Sequence, residues 1–341
     1  MLKNCSNCGG KLYFSPKDKA NKCESCGSLI EIEYKYDFNK KPFEEALSVE
    51  KDEFAESVKK IKCKSCGASV ILNKFQAQNN CSYCGNSTLV ESKPKGMLYV
   101  DSIIPFTFTR NEAFHKLKKE IAKRFYANKK IFKNIKEENI NGAYVNAFIF
   151  DMLTTSEYSG VLSYTKEIEK SNGETENQTC YKTVNGKIDK AFKNITTEAN
   201  SNLEQSELFQ ILPFEYASAV EFKEDFMQGY MLEYQDKMFE DCVNVAEKII
   251  RSNLERDILN KYNCDDIVKL TLNTYYNDKK YNYCLLPVYF VNTVHKDKKY
   301  QVLINGQTGK FGRIPKDKWR VFFTVLLTCG LIVALIFLFI F

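Results

Sequence analysis

Eight of the thirteen cysteines in this 341-residue chain fall into four Cys-x-x-Cys-Gly units, and the units form two matched pairs. Cys5-x-x-Cys8-Gly9 and Cys23-x-x-Cys26-Gly27 make the first pair; Cys63-x-x-Cys66-Gly67 and Cys81-x-x-Cys84-Gly85 make the second. Each cysteine of the first pair recurs 58 positions later, and 14 residues separate the two units in both pairs, so the segment is duplicated. A Zn²⁺ ion takes four thiolates in a tetrahedron at about 2.3 Å. Two residues between cysteines let one tight turn present both sulfurs to one ion. A glycine directly after the second cysteine admits a positive φ, so that backbone amides turn toward the thiolates. Between the units, Lys11-Leu12-Tyr13-Phe14 and Ser69-Val70-Ile71-Leu72 have the β composition of a short joining hairpin. A redox Cys-x-x-Cys comes singly in a βαβ setting, which four copies in two pairs do not match. The pattern predicts two structural Zn²⁺ sites, one in residues 1–33 and one in residues 61–91.

The second constraint lies at the other end. Val321 to Phe341, VFFTVLLTCGLIVALIFLFIF, carries no charge. As a helix at about 1.5 Å per residue it measures roughly 31 Å, against a bilayer hydrocarbon core of about 30 Å. The flank holds Lys310, Arg313, Lys316, Lys318, Trp319 and Arg320, and excess Lys and Arg mark the cytoplasmic side. The start, MLKNCSNCGG, has no apolar signal-peptide core. These features predict a single-pass C-terminal transmembrane anchor over residues 320–341 in the cell membrane, with the N-terminal bulk on the cytoplasmic side. Thiols there stay reduced, which favours metal ligation over disulfides. Gly330-x-x-x-Ala334 is a small-xxx-small pair, so the anchor is a candidate for homo- or hetero-oligomeric packing.

Between these ends, Pro42 to Ile61 reads as a helix (the core of a spacer over residues 34–60), with Phe43, Leu47, Phe54, Val58 and Ile61 on one face. Ser92-Lys93-Pro94-Lys95-Gly96 reads as a linker. Thr109 or Asn111 then caps a helix whose buried stripe is Phe114, Leu117, Ile121 and Phe125. Its other face holds Lys116, Lys118, Lys119, Lys123 and Arg124: either a solvated face or a dock for lipid head groups or an acidic partner. Strand-like segments follow at 143–153, 160–166, 179–184 and 187–192, the last two joined by an Asn185-Gly186 hairpin turn. Residues 203–260 read as mostly helical and acidic. Tyr275 to Val294 and Tyr300 to Phe311 return to β through the turn His295-Lys296-Asp297-Lys298. Residues 97–315 thus form one α+β domain.

The cysteine sets resemble zinc ribbons of the type found in transcription factor TFIIB. The order of ribbons, Ile104-Pro105-Phe106, basic helix, Gly142-Ala143-Tyr144-Val145, Leu286-Pro287-Val288-Tyr289, Asn305-Gly306-Gln307-Thr308-Gly309-Lys310 and apolar end resembles the bacterial membrane-bound TFIIB-type zinc ribbon-containing proteins, the YdjG-like family. Phe148 and Tyr289 stand where that family usually has tryptophan. The resemblance implies a membrane location and a place in envelope stress, with flotillin-like (SPFH) or phage-shock (PspA-like) protein partners.

Charge is unevenly spread. Residues 110–136 carry ten Lys/Arg and two Glu; residues 198–241 carry eleven Asp/Glu and two Lys. A nucleic-acid binder of this size would be more basic throughout, and residues 1–96 hold 16 Lys against 12 Asp/Glu with no arginine for base reading. Enzyme signatures are missing: His115 and His295 stand in no catalytic pattern. Gly306 to Phe311 has two residues between its glycines, and a Phe after Lys310, where a P-loop needs four and a Ser or Thr. Cys180, Cys242, Cys264 and Cys284 read as packing residues. The expectation is a non-enzymatic, membrane-anchored zinc-ribbon adaptor or scaffold that recruits cytoplasmic proteins; the alternative is a membrane-tethered nucleic-acid-binding ribbon protein.

Overall fold

The computed structural model describes residues 4–48, 59–72, 81, 89–92, 100–169, 175–233 and 235–340. The strands, in chain order, are β1 (Leu12–Ser15), β2 (Ala20–Cys23), β3 (Leu29–Glu31), β4 (Lys41–Pro42), β5 (Lys59–Cys63), β6 (Ser69–Leu72), β7 (Leu89–Ser92), β8 (Ser102–Ile103), β9 (Ile140–Glu169), β10 (Thr175–Glu198), β11 (Val220–Glu221), β12 (Met231–Glu233), β13 (Asp266–His295) and β14 (Lys298–Asn305). The helices are α1 (Phe43–Ser48), α2 (Arg110–Lys123), α3 (Gln205–Ile211), α4 (Phe239–Tyr262) and α5 (Lys318–Ile340). The architecture is mixed α+β.

Its frame is the antiparallel run β10-β9-β13-β14. Residues 140–150 of β9 and 281–291 of β13 are buried throughout, because successive side chains point to opposite faces and both faces are covered. Tyr144, Phe148, Phe150, Tyr283 and Tyr289 enter one core with α1, α2 and α4. Ala143, Val145, Ala147, Ile149, Leu286 and Val288 enter a second core with α3 and Phe214. Farther along β9 the burial alternates, since α4 covers one face only. Its stripe of Phe239, Cys242, Ala246, Ile250, Leu254 and Ile258 is spaced at three and four residues.

The basic helix begins at Thr109, whose side chain accepts from the Glu112 amide at 3.3 Å while the Glu112 carboxylate accepts from the Thr109 amide at 2.7 Å. Leu117 and Ile121 are buried as expected, but Phe125 is 63% exposed. The helix ends at Lys123, so Phe125 no longer follows its stripe. The turn at 295–298 is a two-residue hairpin, with Lys296 and Asp297 at φ 50° and 60°. Gly306 to Gly309 is also a turn: the Asn305 carboxamide oxygen accepts from the Gln307 and Thr308 amides, both at 2.9 Å.

Two further expectations are corrected. Asn185-Gly186 is no turn: β10 pairs with β9 straight through it, Gly186 opposite Tyr158. A Cβ at Gly186 would come within 2.6 Å of the Tyr158 hydroxyl, so the glycine serves a close cross-strand approach. The spacer helix starts after Pro42 but does not reach Ile61, because residues 59–63 pair with β6 and β7; residues 49–58 lie outside the described residues. The described residues of 203–260 are mostly helical, as expected: α3, α4 and short 3-10 turns at Tyr216–Ser218 and Glu224–Met227, with β11 and β12 between α3 and α4. Of the apolar residues between 203 and 214, Leu203, Leu208, Ile211 and Phe214 are buried, Leu212 is half-buried and Phe209 is exposed.

The expected transmembrane helix at 320–341 falls on α5. No helix among the described residues is long and apolar enough to cross a membrane. Side chains of α5 are described only to Ile332, and the stretch 318–332 rises about 22 Å, short of an about 30 Å core. The Gly330/Ala334 pairing motif extends past that limit.

Candidate metal centres

The three cysteine units that lie within the described residues each fold as a tight knuckle. The Gly9 amide donates to the Cys5 carbonyl at 2.8 Å, Gly27 to Cys23 at 3.0 Å, and Gly67 to Cys63 at 2.9 Å. Gly9, Gly27 and Gly67 sit at φ 71°, 75° and 79°, the left-handed region that the spacing called for. No neighbour lies within 4 Å of a Cβ added at any of the three, so backbone conformation alone selects glycine there. Behind the knuckles, β1 pairs with β2 and β2 with β3; β5 pairs with β6 and with β7. The hairpin strands predicted at 11–14 and 69–72 are present as β1 and β6.

These turns gather the sulfurs. The Sγ atoms of Cys5, Cys8, Cys23 and Cys26 all lie within 4.8 Å of one another, as do those of Cys63, Cys66 and Cys81. Cys84 lies outside the described residues. Sγ separations are 3.6 Å for Cys5–Cys26, 3.5 Å for Cys8–Cys23 and 3.7 Å for Cys66–Cys81. A tetrahedron with metal–sulfur bonds of about 2.3 Å has edges of about 3.8 Å, so these sets fit one ion each. They are far too wide for disulfides at about 2.05 Å. Both sets place the first cysteine of a knuckle inside and the second outside: Cys5, Cys23, Cys63 and Cys81 are buried, Cys8, Cys26 and Cys66 exposed.

Crowding four thiols splits their acidities. Cys26 falls to about 6, chiefly because the Ser28 hydroxyl and then the Ser28 amide stabilise its thiolate. Cys23 is lowered first by the Cys26 amide. For Cys8 the Gly10 amide works downward, but the neighbouring sulfurs of Cys26 and Cys23 outweigh it and push the thiol up to about 12. One or two protons leave readily while the last is held, and a bound dication removes that repulsion. The amides aimed at sulfur are those the Cys-x-x-Cys-Gly spacing anticipated. Two contributors are not visible in that spacing. Ser28 lies 3.1 Å from Cys26 Sγ and accepts from Asn7 Nδ2 at 2.9 Å. At Gly10 a Cβ would meet Ser25 Oγ at 2.6 Å and Cys23 Sγ at 3.1 Å; the second glycine of Gly9-Gly10 was its only trace.

The remaining cysteines stand apart from both sets. Cys242 and Cys284 are fully buried, and burial pushes each thiol up to about 12, the environment of an inert packing residue. His115 and His295 join neither set. All-sulfur tetrahedral coordination is chemistry shared by zinc and iron; the donor sets are compatible with a thiolate metal site and leave the ion open.

Both sets are built into the α+β domain: the first, in residues 1–33, is called ribbon 1 and the second, in residues 61–91, ribbon 2. Ribbon 1 inserts Phe14, 2% exposed, edge-on against Phe226 at 5.2 Å, and the Phe14 amide donates to the Gln228 carbonyl at 2.9 Å. Asn21 Nδ2 donates to Asp225 at 3.2 Å. Ribbon 2 joins edge to edge: β6 pairs with β12, Ile71 opposite Leu232 and Val70 opposite Glu233, and β12 continues onto β9. Its Cys63, Ala68 and Cys81 pack in the second core, so the ribbons meet opposite faces of the central sheet.

The chain is similar to a Bacillus subtilis (strain 168) protein described as "Uncharacterized protein YdjG", with 24% identity over 323 residues covering 93% of this chain and 91% of the relative. That distant similarity runs the length of both proteins and supports the YdjG-like grouping. No family model matches the chain, and no solved structure matches it.

Proposed function

We propose that the chain is a non-enzymatic, membrane-anchored adaptor in which two structural Zn²⁺ ions fix paired ribbons on an α+β platform and the ribbons recruit protein partners. Zinc is favoured because it takes four thiolates without redox chemistry and stabilises small folds. The observation that carries the reading is the contrast between rigidly docked thiolate clusters and an uncovered apolar helix on one molecule. On α5, Trp319, Leu327 and Leu331 are 70%, 67% and 64% exposed, and the uncharged sequence continues to Phe341. An apolar surface of that extent marks a membrane or protein contact; the flank of Lys316, Lys318 and Arg320 favours the membrane, cytoplasmic side of the bulk. Ribbon 1 offers Leu29, 52% exposed, and the adjoining spacer offers Tyr36, 65% exposed, as contact points for a partner. The envelope-stress partners of the YdjG-like resemblance, flotillin-like or PspA-like, belong to this proposal.

The experiment keeps the chain whole, because deleting residues 1–96 would strip Phe14 and Phe43 from the main core. Photo-crosslinkers placed at Leu29, Tyr36 and the exposed Tyr275 on β13 are activated in native membranes. The adaptor reading expects one stoichiometric protein captured from the ribbon positions and not from Tyr275. Capture of nucleic acid from the ribbon positions would replace it with the tethered nucleic-acid reading; capture of neither would end the adaptor reading.

A further inference from the structure

The segment after α2 returns to the base of α5 and is fastened there. The Asp317 amide donates to the Tyr126 carbonyl at 2.8 Å, and the Asn128 amide to the Pro315 carbonyl at 2.9 Å. Ala127 and Lys316 form an isolated antiparallel bridge. Arg320 Nη1 donates to the Phe125 carbonyl at 3.1 Å, with its guanidinium 5.9 Å from the Phe125 ring centroid. Ile131, Phe132 and Ile135 are buried and hold the segment down, while Lys129, Lys130 and Lys133 are exposed. The outcome is a collar at the foot of an apolar helix. Its two chain segments, 123–136 and 313–320, carry six Lys/Arg with no acid and four with one Asp. Among the described residues, Lys130, Lys133, Lys316 and Lys318 make no ion pair. Set among these cations are three exposed rings: Phe125 (63%), Tyr126 (38%) and Trp319 (70%).

Cations and rings occupy different depths of a bilayer surface: Lys and Arg lie at the phosphates, amphipathic aromatics at the head-group boundary. A protein partner of acidic character would complement the lysines but leave no reason for three exposed rings beside an apolar helix. We propose that this collar is a binding surface for anionic phospholipid head groups, a second membrane contact that sets the height and tilt of the platform above the bilayer. It rests on α5 being the membrane anchor. Basic residues close to an anionic leaflet each contribute about a fivefold gain in affinity, and aromatic anchors with flanking cations fix helix orientation.

Trp319 is the chain's single tryptophan, so fluorescence separates the two ideas. The full chain is placed in nanodiscs of phosphatidylcholine, alone or with phosphatidylglycerol, containing lipids brominated near the head group. Quenching is read for the wild type at Trp319 and for a W319F/F125W variant at position 125. The collar predicts quenching at position 125, and phosphatidylglycerol enrichment around the wild-type chain that falls about fivefold or more in K129E/K130E/K133E. The substituted lysines are exposed, and unchanged metal content verifies that the variant is folded; F125S/Y126S provides a second, uncharged disruption with reduced quenching at Trp319. Trp319 quenched with position 125 unquenched would overturn the collar and leave the anchor standing. Neither position quenched would overturn the anchor as well. Enrichment equal in wild type and K129E/K130E/K133E, or collar lysines that retain an acidic protein or nucleic acid in place of lipid, would also overturn the collar.

Discussion

Ribbon 1 and ribbon 2 share ligand spacing, knuckle hydrogen bonds and the inside–outside alternation of their sulfurs, yet they join the molecule differently. Ribbon 1 keeps a sheet of its own and attaches by a side-chain plug, Phe14 against Phe226. Ribbon 2 lends β6 to the platform sheet and attaches by main-chain pairing with β12. Four ligands at fixed spacing specify a metal knuckle and nothing beyond it. The residues between the knuckles decide where the knuckle goes: an aromatic at position 14 seeks a core, and an apolar strand at 69–72 seeks a sheet edge. A duplicated sequence has thus produced two attachments of different physical kind on opposite faces of one sheet.

Breaking the ligand sets gives the largest effect. Cys23→Ser and Cys81→Ser should each reduce bound metal by one ion per chain, removing a site whose apparent metal-binding free energy is about 10–16 kcal/mol in isolated zinc peptides. Elemental analysis checks the stoichiometry. Amide exchange should then rise at residues 12–15 in the first variant and at residues 69–72 in the second. Equal loss of protection at both places in either variant would mean that the ribbons are energetically one unit.

Next comes the plug. Phe14→Ala should lower unfolding free energy by about 3–5 kcal/mol, the usual cost of emptying a buried aromatic position, with both metals retained. Ribbon 2 offers no equivalent side chain among the described residues, so Ala68→Leu, an overpacking change in the second core, should cost only about 1–3 kcal/mol. Chemical denaturation of the metal-loaded chain distinguishes the two.

The strand pairing has its own weak point. Glu233, opposite Val70 on β12, is 1% exposed, and burial raises its carboxyl well above the ordinary carboxylate range. The folded state keeps a proton that the unfolded chain releases. Stability contributed by that proton is therefore intact at acidic pH and declines as pH rises through 4.5, by up to about 1.4 kcal/mol per unit. Glu233→Gln should abolish this slope, leaving a chain more stable than wild type near neutral pH and similar at acidic pH. Thermal melts across that range measure it, and parallel curves would refute the assignment. Smallest of all, Gly27→Ala or Gly67→Ala should cost about 1–2 kcal/mol each through left-handed backbone strain, alike in both ribbons and without metal loss.

Legibility in the sequence follows the range of the interaction. Cysteine sets, glycine conformations, β1, β6, the Thr109–Glu112 cap and the 295–298 turn are local, decided within a few residues, and all were readable. Asn185-Gly186 carried a strong local turn signal but stands opposite Tyr158 in the middle of a long hairpin, so tertiary packing overrode it. The same holds for residues 59–61, which resemble helix until β6 and β7 supply partners. Ser28, whose hydroxyl lies 3.1 Å from Cys26 Sγ, left no periodic trace because one hydroxyl at one angle makes no pattern. Docking through Phe14 and β12 depends on contacts more than 150 residues apart in sequence, and a single chain gives no local sign of it.

The most direct test of two thiolate metal centres in one platform is X-ray absorption at the metal edge of the full-length chain, combined with metal stoichiometry. The account predicts two zinc ions per chain, each with four sulfur neighbours at about 2.3 Å. Fewer than two ions, a first shell containing oxygen or nitrogen, or cysteines recovered as disulfides would contradict it.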